Sequence, residues 1–153
     1  MKPYVYGCLT RPRWEALLEF AASTGLRLIL GLNGCIGRLS NVTGMNTSNA
    51  ASLIAATAAS PHASALWGFE LSNEVVGTGA AGTVSPAAYA ADIAAVKVIA
   101  AAAFGAVGLE TPAFVGPDVA DPDTVAAVLA APALQGALSA ITYHHYADCT
   151  PGE

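Results

Sequence analysis

The chain has 153 residues, enough for one domain with a real core, and 54% of them are hydrophobic against 11% charged. A formal net charge of -5, with six scattered basic residues (Lys2, Arg11, Arg13, Arg27, Arg38 and Lys97), offers no phosphate-binding patch and argues against nucleic acid. No apolar run free of charge reaches the roughly 20 residues of a membrane span, no secretory apolar region follows Met1, and Cys8, Cys35 and Cys149 read as unpaired thiols, not as a disulfide or zinc framework.

Thr10 can cap a first helix whose apolar face is Trp14, Leu17, Leu18 and Ala21, and Gly25 ends it. The run from Leu26 to Leu32 reads as a buried strand ending at Asn33. Asn46 or Thr47 can cap a second helix that buries Leu53, Ile54 and Thr57 and stops near Pro61. Residues 65–72 form a second strand, which stops abruptly on Asn73-Glu74, and a loop rich in Gly and Thr follows to Ser85. Ser85-Pro86 and Asp121-Pro122 are both strong helix starts, a capping side chain followed by proline at the first helical position. The helix after Ser85 shows Tyr89, Ile93, Val96 and Ala100 on one face. Residues 112–116 read as a third strand ending at Pro117-Asp118, Pro132 ends or kinks the fourth helix, and 138–146 read as a fourth strand.

Helices alternating with continuously apolar strands predict an α/β fold, a parallel sheet covered by helices. In such sheets function collects at the C-terminal ends of the strands. Those ends carry Asn33, Asn73-Glu74, Asp118 and His144-His145-Tyr146. An apolar strand tipped by Asn-Glu suits the acid catalyst of a barrel glycosidase: the strand is a rigid platform, the carboxyl supplies a proton, and the amide can hold a sugar hydroxyl. Period-two alternation places Glu70 on one face with Ser72 and Glu74, either as a second catalytic group or as a buried partner of an arginine. His144 and His145 point to opposite faces, so one of them lines the interior. Asn33 and Asp118 could each bind a sugar hydroxyl or cap the helix that follows. Arg38 is expected to be a solvated loop residue, the alternative being a bidentate partner for a uronate carboxylate. Adjacent strand histidines diverge and no third ligand stands at suitable spacing, so no metal is expected.

Six segments in order resemble glycoside hydrolase family 79, the heparanase and plant heparanase-like β-glucuronidase family. They are Gly7-Cys8-Leu9 with Arg13-Trp14-Glu15, Gly31-Leu32-Asn33, Ser48-Asn49-Ala50, Phe69-Glu70-Leu71-Ser72-Asn73-Glu74, Gly116-Pro117-Asp118-Val119, and Thr142-Tyr143-His144-His145-Tyr146. The resemblance implies a (β/α)8 barrel and a retaining mechanism that needs no cofactor. Glu74 would be the general acid/base and Asn73 the ligand of the sugar 2-hydroxyl, with His144 and Tyr146 in contact with the sugar. Ser72 stands where the family usually has Gly, and Phe69 where it has Trp.

A whole barrel needs about 250 residues. Residues 1–153 are therefore expected to be a fragment of one glycosidase barrel, a partial (β/α)8 unit of about four central strands, with the nucleophile Glu beyond Glu153. The implied partner is a glucuronide or glycosaminoglycan-type glycan, with no nucleic acid and no transmembrane segment. The alternative is a non-catalytic carbohydrate-binding or structural remnant. Half a barrel leaves two open edges, through which self-association is expected. The resemblance also implies that the full-length protein is secreted, lysosomal or vacuolar, or membrane-associated.

Overall fold

The computed structural model describes residues 7–35, 38, 40, 43–77 and 84–145. Helices α1 (Arg11–Thr24), α2 (Ser48–Ala58), α3 (Pro86–Gly105) and α4 (Pro122–Leu129) alternate with strands β1 (Leu28–Leu32), β2 (Leu66–Leu71), β3 (Ala113–Val119) and β4 (Ala140–Tyr143). The strands form one sheet in the order β1-β2-β3-β4, and every neighbouring pair is parallel. Strands that follow one another in the chain and lie side by side, each pair joined through a helix, build an α/β sheet that curls into a (β/α)8 barrel. The described residues show four of the eight strands of such a barrel.

Local chemistry accounts for the element boundaries. Gly25 closes α1 in the left-handed region at φ 72°, where a side chain would be strained, and the Leu26 N–H then reaches the Ala21 carbonyl at 2.9 Å. Thr10 stands at the α1 N-cap without a side-chain cap bond. At the start of α2 the Asn46 amide oxygen accepts from the Ser48 N–H at 3.0 Å, and Thr47 makes no cap bond. Ser85 and Asp121 cap α3 and α4 as expected, accepting from Ala88 N–H at 3.2 Å and Thr124 N–H at 2.9 Å. Hydrogen bonds from the Thr124 hydroxyl, then from its backbone, hold the Asp121 carboxyl below its ordinary pKa.

The core lies between the helices and one face of the sheet. Leu30, Phe69 and Phe114 are register neighbours across three strands, and the two rings pack at a centroid distance of 5.7 Å. Tyr89, Ile93, Val96 and Ala100 are all fully buried, the face that the spacing predicts. Among the described residues α3 is the one helix long and apolar enough to cross a membrane, but it buries a full stripe here and carries Asp92 and Lys97. The α1 face is narrower than predicted: Trp14, Leu18 and Ala21 are buried, whereas Leu17 is 43% exposed.

Helices α1 and α2 are joined by a buried hydrogen bond from Trp14 Nε1 to Thr57 Oγ1 at 2.8 Å, and the threonine hydroxyl donates onward to the Leu53 carbonyl at 2.8 Å. Thr57→Val conserves shape but strands the indole N–H inside the core. A loss of about 1–3 kcal/mol is expected, read as a lower urea midpoint at unchanged slope. An unchanged midpoint would mean that the indole finds another partner.

Candidate active site

Backbone hydrogen bonds stitch the strand ends together. The Ser72 N–H donates to the Leu32 carbonyl at 2.7 Å, Glu74 N–H to the Asp118 carbonyl at 3.1 Å, and His144 N–H to the Val119 carbonyl at 3.1 Å. Each strand end is thus tied to a neighbouring one, and the polar residues at those ends come together on one edge of the sheet.

Three non-glycine residues on this edge occupy the left-handed region: Ser72 at φ 61°, Glu74 at φ 49° and Asp118 at φ 55°. Each such residue costs about 1–2 kcal/mol, and strain of this kind collects where function requires a particular side-chain direction. Position 72 favours glycine for that reason. Its serine compensates by accepting a hydrogen bond from Gly34 N–H at 2.6 Å. Gly34 must be small in return, because a Cβ there would lie 2.9 Å from Ser72 Oγ.

The central contact is a chain of three side chains from three strand ends. His144 Nδ1 lies 2.7 Å from Glu74 Oε1, and His144 Nε2 lies 2.8 Å from Asp118 Oδ1. The histidine pKa is raised, first by its hydrogen bond to Glu74, against a smaller opposing effect of burial, and then by the charge of Asp118. One level below, Thr142 Oγ1 donates to Glu70 Oε1 at 2.6 Å. Glu70 and Val115 are register partners, and Val115 pairs with Ala140 on β4, so this bond bridges across β3 on the face opposite the core. Burial raises the Glu70 pKa, the Thr142 bond works against that, and the Asp118 charge adds to it.

Tyr89 rises from α3 beneath this edge. A Cβ on Gly116 would lie 2.4 Å from its hydroxyl, so the tyrosine fills the space that glycine leaves. The buried hydroxyl has no hydrogen-bond partner among the described residues. Its pKa is raised by burial, then by the charges of Glu70, Asp118 and Asp92. No group of three or more His, Cys, Asp or Glu among the described residues is disposed to hold a metal ion.

Several sequence expectations change at this edge. Glu70 pairs with Thr142, not with an arginine. Strict alternation fails at Ser72, because its positive φ turns the hydroxyl towards Gly34 while Glu74 turns towards β4. Asp118 lies inside β3, which runs on to Val119; it caps no helix, since Asp121 caps α4. Asn33 is exposed, and its side-chain oxygen accepts from Cys35 N–H at 2.9 Å, a local turn just after β1. Asn73 is exposed beside Glu74, and His145 is exposed whereas His144 is half-buried. Arg38 is not solvated: its guanidinium is buried against Asp92. Thr142 was missed by the sequence reading, although it stands two residues before His144, the spacing that shares a strand face. Tyr146 and Cys149 lie outside the described residues.

The family model for the glycosyl hydrolase family 79 N-terminal domain matches residues 1–153. Among curated proteins, Heparanase-like protein 3 of Arabidopsis thaliana is 37% identical over 94 residues, which cover 58% of this chain. The match spans 17% of that protein's length. The family resemblance read from the six segments is borne out, as is the α/β fold of a partial barrel.

Proposed function

The chain belongs to glycosyl hydrolase family 79, and from that premise we propose that Glu74 is the general acid/base of a retaining glycosidase acting on a glucuronide. The observation that carries this reading is the position of Glu74. It leaves the C-terminal end of a barrel strand at positive φ, beside Asn73, with its carboxyl on one ring nitrogen of His144 and Asp118 on the other. Glu74 would protonate the leaving glycosidic oxygen and later take a proton from the attacking water. Asn73 would hold the sugar 2-hydroxyl, and Asn33 and Tyr146 would line the glycan's path.

A retaining mechanism needs a second carboxyl about 5–5.5 Å from the first. We assign it to a strand other than these four, in keeping with residues 1–153 as part of a single catalytic barrel. An acidic chain with six basic residues suits a small glucuronide or weakly charged glycan better than a heavily sulfated one. The full-length protein is proposed to meet that glycan in a secretory, vacuolar or membrane-bound setting.

The test is titration of the purified chain with phenyl β-glucuronide, followed by amide NMR, alongside hydrolysis of the 4-methylumbelliferyl glucuronide. Shifts centred on Asn73, Glu74 and Asp118, weakened by Asn73→Ala, with no turnover by the chain alone, are expected. Turnover that disappears in Glu74→Gln would mean that self-association completes the site. Shifts centred elsewhere would remove the glycan from this edge.

A further inference from the structure

We propose that His144 is a positioning residue for Glu74: held by Asp118 through one ring nitrogen, it grips one oxygen of the Glu74 carboxyl with the other and so fixes the direction of the acid/base. The inference rests on the reading of Glu74 as the acid/base. It replaces the sugar contact that the sequence implied for His144.

An imidazole has two polar atoms, and here both lie within hydrogen-bond distance of carboxylate oxygens, Glu74 Oε1 at 2.7 Å and Asp118 Oδ1 at 2.8 Å. Neither ring nitrogen is left for a sugar hydroxyl. The Asp118 carboxylate and the unprotonated oxygen of the Glu74 carboxyl only accept, so the histidine between them donates twice, as imidazolium.

The groups around the ring favour that proton. Glu74 from the end of β2 and Asp118 from β3 touch it, Glu70 acts on it from one level down, and Tyr89 of α3 closes the space near Glu70 and Asp118. Three carboxyls and one imidazole share this edge, so a retained positive charge on His144 offsets repulsion among them. Its protonation therefore adds stability below the ordinary histidine value, and that contribution is lost as pH rises through the raised value.

In the first chemical step the O–H bond of the protonated Glu74 carboxyl breaks, the proton passes to the leaving oxygen, and the glycosidic C–O bond breaks with its electron pair on that oxygen while the second carboxylate of the proposed retaining mechanism bonds to the sugar carbon. Oε1 keeps the Nδ1–H bond, which steadies the carboxylate just formed. In the second step, the oxygen of water bonds to the sugar carbon, the bond from that carbon to the second carboxylate breaks with its electron pair on the carboxylate, and water gives its proton back to Glu74. His144 holds its own protons throughout.

The experiment is a pH titration of the imidazole nitrogens by two-bond proton–nitrogen NMR in the full chain. His144 is expected to titrate above the ordinary value of about 6.5. Glu74→Gln should lower it most and Asp118→Asn less, with amide spectra confirming that both variants fold. An ordinary value in the unsubstituted protein overturns the proposal and needs no variant. In an active barrel, His144→Gln should lower kcat and displace the pH profile at nearly constant KM, whereas loss of a sugar contact would raise KM. A raised His144 value that depends on Glu74, combined with an active barrel indifferent to Glu74→Gln, would keep the linkage and reject Glu74 as the acid.

Discussion

Replacing Glu74 by Gln is expected to lower kcat/KM by about 10²–10⁴ on substrates with poor leaving groups, measured in a catalytically competent barrel. The amide keeps the shape and can still meet His144, so the loss reports proton transfer and not collapse of the site. With an activated aryl leaving group the first step needs less acid assistance, and the second step, in which water must be deprotonated, becomes limiting. Azide, which needs no base, should then restore turnover and give a glycosyl azide with the substrate's anomeric configuration. A loss smaller than about tenfold, or no rescue by azide, would place the acid elsewhere.

The second large effect is structural. Arg38 and Asp92 form an ion pair whose side chains are 5% and 3% exposed. Around it, Arg38 Nε donates to the Gly34 carbonyl at 2.9 Å, its Nη1 to the Thr43 carbonyl at 2.6 Å, and Met45 N–H to Asp92 Oδ1 at 2.9 Å. One aspartate on α3 therefore holds both Arg38 and Met45, which lie between β1 and α2. Asp92→Ala leaves a buried guanidinium uncompensated and should cost about 3–5 kcal/mol in urea unfolding. Removing both partners with apolar side chains should cost less than Asp92→Ala alone, because no charge is left stranded. A single-variant cost near that of a surface pair, under about 1 kcal/mol, would contradict the buried pairing. Arg38 in turn holds the Gly34 carbonyl, and Gly34 and Cys35 meet Ser72 next to Asn73, so the variant is also expected to loosen the site.

What could be read in the sequence was local. Ser85-Pro86 and Asp121-Pro122 start helices because cap and proline act within four residues, and Gly25 ends one because its own φ allows it. Tyr89, Ile93, Val96 and Ala100 fall on one buried face because helical spacing alone aligns them. Glu74 and Asp118 were legible as strand-end residues for a similar reason, since the ends of parallel strands converge on one edge.

Tertiary structure decided the pairings. Arg38 meets Asp92 across 54 residues, Glu70 meets Thr142 across 72, and Glu74 meets His144 across 70. No local pattern encodes these contacts, because each depends on the register and order of strands that packing sets. The turn of Ser72 away from its strand face likewise follows from a positive φ stabilised by Gly34 on the neighbouring strand's loop. The sequence alone thus determined which residues reach the edge, through periodicity, caps and turns. Which of them touch was decided only when the four strands came together, because side-chain direction and burial are properties of the assembled sheet.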